Sequence, residues 1–114
     1  MNLIQSRKPD VVFKSSGEIR ISSRVSKELG INRGDAINIW TDGIEYYLYV
    51  QERQAPKGTK LVCWGRGAYL RAQSQELSTK MTMGNLIAGY AVGEKTKIDK
   101  DVEALPIITR RNLL

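Results

Sequence analysis

The run Val11–Val50, VVFKSSGEIRISSRVSKELGINRGDAINIWTDGIEYYLYV, decides the fold, because it reads as two strand pairs around a short helix with a glycine at each change of direction. Val11–Lys14 and Ile19–Ile21 form an expected hairpin closed by Ser15-Ser16-Gly17. Ser22 and Ser23 are suited to cap a helix over Arg24–Leu29, where Val25 and Leu29 share a face at i, i+4. Gly30 falls where a left-handed residue ends a helix, and Ile31 is placed to fold back onto the last turn. Asn32-Arg33-Gly34-Asp35 turns the chain into a strand over Ala36–Trp40, and Asp42-Gly43 signals a second hairpin into Ile44–Val50.

Alternation and helix spacing assign Val11, Phe13, Ile19, Ile21, Val25, Leu29, Ile37 and Ile39 to the core. Lys14, Glu18 and Arg20 then point outward from the strands, and Arg24 and Lys27 from the helix. In Ile44–Val50 one face takes Tyr46, Leu48 and Val50 and the other Glu45, Tyr47 and Tyr49. These tyrosines read first as packing or interface residues, with base stacking as the alternative.

The composite of Gly17, Ile19, Ile21, Val25, Leu29-Gly30-Ile31, Gly34-Asp35, Ile37 and Ile39 resembles the AbrB/SpoVT (MazE-like) swapped-hairpin DNA-binding domain, over about residues 11–50. The resemblance implies an intertwined β-barrel made from two copies, usually in a transcription regulator or an antitoxin. It departs from the family pattern at three places. Glu18 follows the hairpin glycine where an arginine is frequent, Ser22 replaces the usual proline, and Ser26-Lys27 supplies one basic residue where two are frequent. A carboxylate at the hairpin tip repels phosphate, which weighs against the family's standard docking mode.

The second half repeats the order of the first. At a shift of 50, Val12 meets Val62, Gly17 meets Gly67, Gly34 meets Gly84, Ile37 meets Ile87 and Gly43 meets Gly93, while the helix positions Val25 and Leu29 meet Gln75 and Thr79. A degenerate duplication would let one chain supply both halves of the barrel; otherwise the first module dimerises and the second is an appended β-rich segment. Strands are expected at Lys60–Trp64, Ala68–Ala72 and Leu86–Val92, with a weak helix at Gln73–Lys80. Ile107 and Ile108 suit an edge strand, because Pro106 argues against a central one. The organisation is therefore an N-terminal arm 1–10, an AbrB-like module 11–51, a linker 52–59, a second β-rich module 60–93 and a tail 94–114. The fold class is mainly β with one or two short helices.

The 114 residues carry 18 basic and 12 acidic side chains, a net charge of +6 that attracts polyanions. No apolar run approaches the ~20 residues of a membrane span, and MNLIQSRKPD has no signal-peptide core. The lone Cys63 forms no internal disulfide, so a cytoplasmic protein is expected. The chain has no histidine, which removes the commonest general base and metal ligand. Gly65-Arg66-Gly67 lacks the remainder of a phosphate-loop pattern, and Asp99 and Asp101 are flanked by lysines. No enzymatic activity, cofactor or metal is expected.

Two function classes follow. One is a regulator or antitoxin-like protein that holds duplex DNA with Arg20, Arg24, Lys27 and Arg33 on phosphates, as a homodimer or an intrachain pseudo-dimer. The other is a protein-interaction or structural module that keeps the fold without the DNA surface. The first requires Arg20, Arg24 and Lys27 on one open face. The second expects an apolar or aromatic patch, or arginines tied up by Glu18 and Glu28.

Overall fold

Strict alternation in the first hairpin places its apolar side chains on one face. Strand β1 (Val11–Lys14) pairs antiparallel with β2 (Glu18–Ser22), and Val11, Phe13, Ile19 and Ile21 are fully buried. This is a computed structural model, describing residues 8–32, 34–51, 61–62, 69–99 and 102–114. The expected arm up to Arg7, the linker 52–59, Cys63 and Gly65-Arg66-Gly67 lie outside the described residues.

Helix α1 (Ser23–Leu29) starts where Ser22 accepts a hydrogen bond from the Val25 N–H at 3.4 Å. It ends at Gly30, whose φ of 68° is the left-handed conformation that glycine adopts without a Cβ penalty. The Gly30 and Ile31 N–H groups donate to the carbonyls of Lys27 and Ser26, satisfying the last turn. Strands β3 (Ala36–Thr41) and β4 (Tyr46–Gln51) form the second hairpin, with Ile39 opposite Leu48. Strand β4 begins two residues later than expected because Ile44 and Glu45 belong to the turn. Their N–H groups both donate to the Asp42 carboxylate, at 2.8 and 2.7 Å.

The second half contributes β5 (Leu61–Val62), β6 (Tyr69–Gln73), α2 (Gln75–Thr82), β7 (Ile87–Val92), β8 (Thr96–Asp99) and β9 (Val102–Ile108). Among the described residues, all nine strands join one antiparallel sheet in the order β5-β3-β4-β9-β7-β1-β2-β6, with β8 paired to β9. The sheet curls into a half-barrel, and its end strands β5 and β6 lie near each other. Its concave side holds one core drawn from both halves, including Phe13, Ile21, Ile37, Leu48, Tyr90 and Leu105, closed by Val25 of α1 and Met81 of α2.

Strand β9 lies between β4 and β7 rather than at an edge, so the expectation from Pro106 is corrected. The reason is local. The Pro106 carbonyl accepts from the Gly93 N–H at 2.8 Å, so its missing N–H faces the same side, where residues 93–95 leave the ladder between β7 and β8. Gly93 stands opposite Pro106 at the end of the β7 ladder, so the proline forgoes a single terminal bond, the return one to the Gly93 carbonyl. The proline ring also sits over Gly93, where a Cβ would come within 3.1 Å of Pro106 Cγ.

Helix α2 is capped by Ser74, which accepts from the Leu77 N–H at 3.2 Å, and is pinned to β7 by the Tyr90 hydroxyl donating to the Met81 carbonyl. It ends at Met83 with φ 51°, a left-handed conformation that costs a non-glycine residue roughly 1 kcal/mol. Met83 is 59 % exposed, so Met83→Gly gives up little packing. That variant should raise stability by about 0.5–1 kcal/mol in urea denaturation.

Candidate nucleic-acid interface

The strand pairing of β1, β2 and β6 brings cations together on the convex face. Val12 lies opposite Arg20 and Arg20 opposite Arg71, so Arg20 and Arg71 are cross-strand neighbours. Glu18 sits among the charges: its carboxylate is 3.1 Å from Lys14 Nζ, 3.1 Å from Arg20 Nε and 3.9 Å from Arg71 Nε. The hydrogen bond from Lys14, with the charge of Arg20 beside it, holds the Glu18 carboxyl below its ordinary value of 4.5 against the opposing effect of burial. Three cations around one anion leave a face of net positive charge.

The hairpin tip beside this face is occupied. Gln73 donates to the Ser16 carbonyl at 3.0 Å and Gln75 to the Ser15 carbonyl at 2.7 Å, so residues of the second half clamp the β1–β2 turn. Gly17 is required there, with φ 100° and Gln73 Nε2 inside the space a Cβ would take.

Arg24 does a different job. Its guanidinium makes a two-point bond to Asp10, Nε–Oδ1 3.1 Å and Nη2–Oδ2 2.9 Å. That bond holds the Arg24 guanidinium above its ordinary value. Asp10 is buried and also accepts from the Val92 N–H at 3.0 Å, while its backbone bonds Tyr90 and Ser22. The Asp10–Arg24 pair therefore ties α1 to β7. Lys27 is exposed in the last turn of α1, three residues beyond Arg24, and Arg33 lies outside the described residues.

Arg20 lines one cleft, with Ser22 and Ser23, and Arg24 another, beside Glu28. The structure places Lys14 and Arg71 with Arg20. Alternation had turned Lys14 outward, but only pairing of β2 with β6 could bring Arg71 across. Asp10 carried no sequence signal, because its partners are 14 and 82 residues away.

A second feature lies on the convex side of β3 and β4. Trp40 faces Tyr47 across the hairpin with ring centroids 5.5 Å apart, and Trp40 is 43 % exposed. The Tyr47 hydroxyl donates to Glu45 at 2.9 Å, which pushes the phenol up to about 12. Among the described residues no group of three or more His, Cys, Asp or Glu side chains is arranged to hold a metal, and no helix is long and apolar enough to cross a membrane. Comparison with protein-family models, curated proteins and solved structures finds no match to this chain.

Proposed function

We propose that this chain is a non-catalytic, duplex-DNA-binding protein of the regulator or antitoxin-like kind, which uses the Lys14–Arg20–Arg71 face on phosphates. The observation that carries the reading is the convergence of those three cations from three strands onto one carboxylate. Arg24 acts as a structural tie in this reading, and Lys27 and Arg33 add long-range positive charge. The protein would act in the cytoplasm.

The same reading assigns the fold to the AbrB-like swapped-hairpin class, with one chain supplying both halves. Its support is the order strand-strand-helix-strand-strand, which occurs as β1-β2-α1-β3-β4 and again as β5-β6-α2-β7-β8. Partners are exchanged between the halves: β1 pairs with β7, β5 with β3, and β2 with β6. Register has drifted. Leu61 lies opposite Ile37, but Val11 and Ile87, their counterparts at the shift of 50, are not partners, because Val11 lies opposite Tyr90.

Binding to a labelled duplex over a salt series tests the function. Phosphate-driven binding weakens with salt by about one power per phosphate neutralised, so a slope of roughly −2 to −3 is expected. A folded sample that ignores duplex at low salt would remove the DNA reading. The Trp40–Tyr47 face and the pairing of Arg20 with Glu18 favour a second one, a protein-interaction module; Trp40→Ala should then abolish partner binding and leave any duplex binding intact.

A further inference from the structure

Beside the basic cluster, the convex face of β1 and β7 carries a cleft of about 460 Å³ whose lining mixes charge and hydrocarbon. Gly89, opposite Val12, has no side chain, which lets two of the lining residues seat directly on the strand. Pro9 and Leu114 close over Gly89, so that a Cβ there would lie 2.7 Å from Pro9 Cβ and 2.9 Å from Leu114 Cγ. The tail is held in place by two bonds: the Leu113 N–H donates to the Gly89 carbonyl at 2.7 Å, and the Gly89 N–H donates to Asn112 Oδ1 at 2.9 Å.

Val12, Ile87 and Leu114 form the apolar part of the lining, while Lys8, Arg20 and Ser23 supply donors. None of the described lining residues has an acidic side chain. The nearby Asp10 carboxylate is turned to Arg24 and the Val92 N–H. Glu18 holds Arg20 through Nε, and a guanidinium carries five N–H donors in all. Such a lining recognises a ligand with one anionic head and an apolar body. A duplex backbone offers phosphates but no such body.

We propose that this cleft binds a small amphipathic organic anion of the carboxylate class, its head between Lys8 and Arg20 and its chain over Val12, Ile87 and Leu114. Arg20 belongs to both the cleft and the phosphate-binding face, so the bound anion competes with duplex DNA. That second statement rests on the proposed function; the cleft itself does not.

The test uses decanoate, below its micelle-forming concentration, added to the full chain while backbone amide resonances are followed. Saturable shifts at Ser23, Ile87 and Gly89 are expected, with butanoate weaker by roughly tenfold or more because its chain buries less surface. The variant Lys8→Gln/Arg20→Gln should weaken decanoate by roughly tenfold or more through loss of charged donors. Lys80→Gln/Lys97→Gln, an equal charge change on α2 and β8, should leave it unaltered. The site is overturned if folded wild-type protein shows no saturable shifts, if they fall on the Trp40–Tyr47 face, or if the double variant binds as wild type. With duplex present, decanoate should raise the apparent Kd; bound decanoate that leaves duplex affinity untouched overturns the competition. Decanoate binding in a protein that never binds duplex removes the DNA reading and leaves the cleft standing.

Discussion

Asp10→Ala should lower the unfolding free energy by about 2–4 kcal/mol, most of it from one backbone donor. The Asp10 side chain is only 8 % exposed and accepts from the Val92 N–H inside the sheet. Alanine leaves that donor without its acceptor, at a cost of about 1–3 kcal/mol. The Arg24 ion pair adds less, because the Arg24 side chain is 57 % exposed and water takes over much of its solvation. A pair of that kind contributes at most about 1 kcal/mol. Arg24→Gln keeps the side-chain stem and an amide donor, so it should cost less than Asp10→Ala. Urea denaturation of both variants checks the order, read from midpoints at unchanged slope. Equal costs would show that the ion pair, not the Val92 bond, dominates.

The triple variant Lys14→Gln/Arg20→Gln/Arg71→Gln should lose roughly a hundredfold in duplex affinity at about 0.1 M salt and flatten the salt slope by nearly 3. Its fold should survive, since all three side chains are at least 30 % exposed and each pairs with Glu18 at the surface. Glu18→Gln has the opposite sign. It removes the one anion from the cluster, frees three cations and should tighten binding. Acid acts in the same direction. Glu18 is held below 4.5 in the folded chain, so its contribution to stability is complete above 4.5 and is lost as pH falls through the lowered value. Duplex affinity should rise over that same interval. If Glu18→Gln weakens binding instead, the cluster is not the phosphate-binding face.

Much of the first half was legible because its signals are local. The Ser22 cap, the Gly30 terminus, the Asp42-Gly43 turn and the alternation of Val11, Phe13, Ile19 and Ile21 each act within a few residues, and the structure realises all of them. What the sequence did not disclose is set by pairing at long range. Pro106 signals an edge to any local rule, and only the departure of residues 93–95 from the ladder makes it acceptable in a central strand. Arg24 looked like an outward cation for the same reason. Its partner precedes it by 14 residues and is buried by strands from the far half of the chain. Arg20 was legible as an outward residue; its neighbour Arg71 became visible only once β6 lay beside β2.

The position of β9 has a consequence for biosynthesis. The last strand of the sheet to be synthesised, Val102–Ile108, is the one that joins the β3–β4 hairpin to β7 and through it to β1. Until the ribosome has released that strand, one edge of β4 has no ladder partner and the concave core lacks Leu105 and Ile107. The sheet is therefore completed late, by pairing strands distant in sequence, which is slow and leaves apolar edges exposed meanwhile. A nascent protein stalled before residue 102 would be a natural client for chaperones.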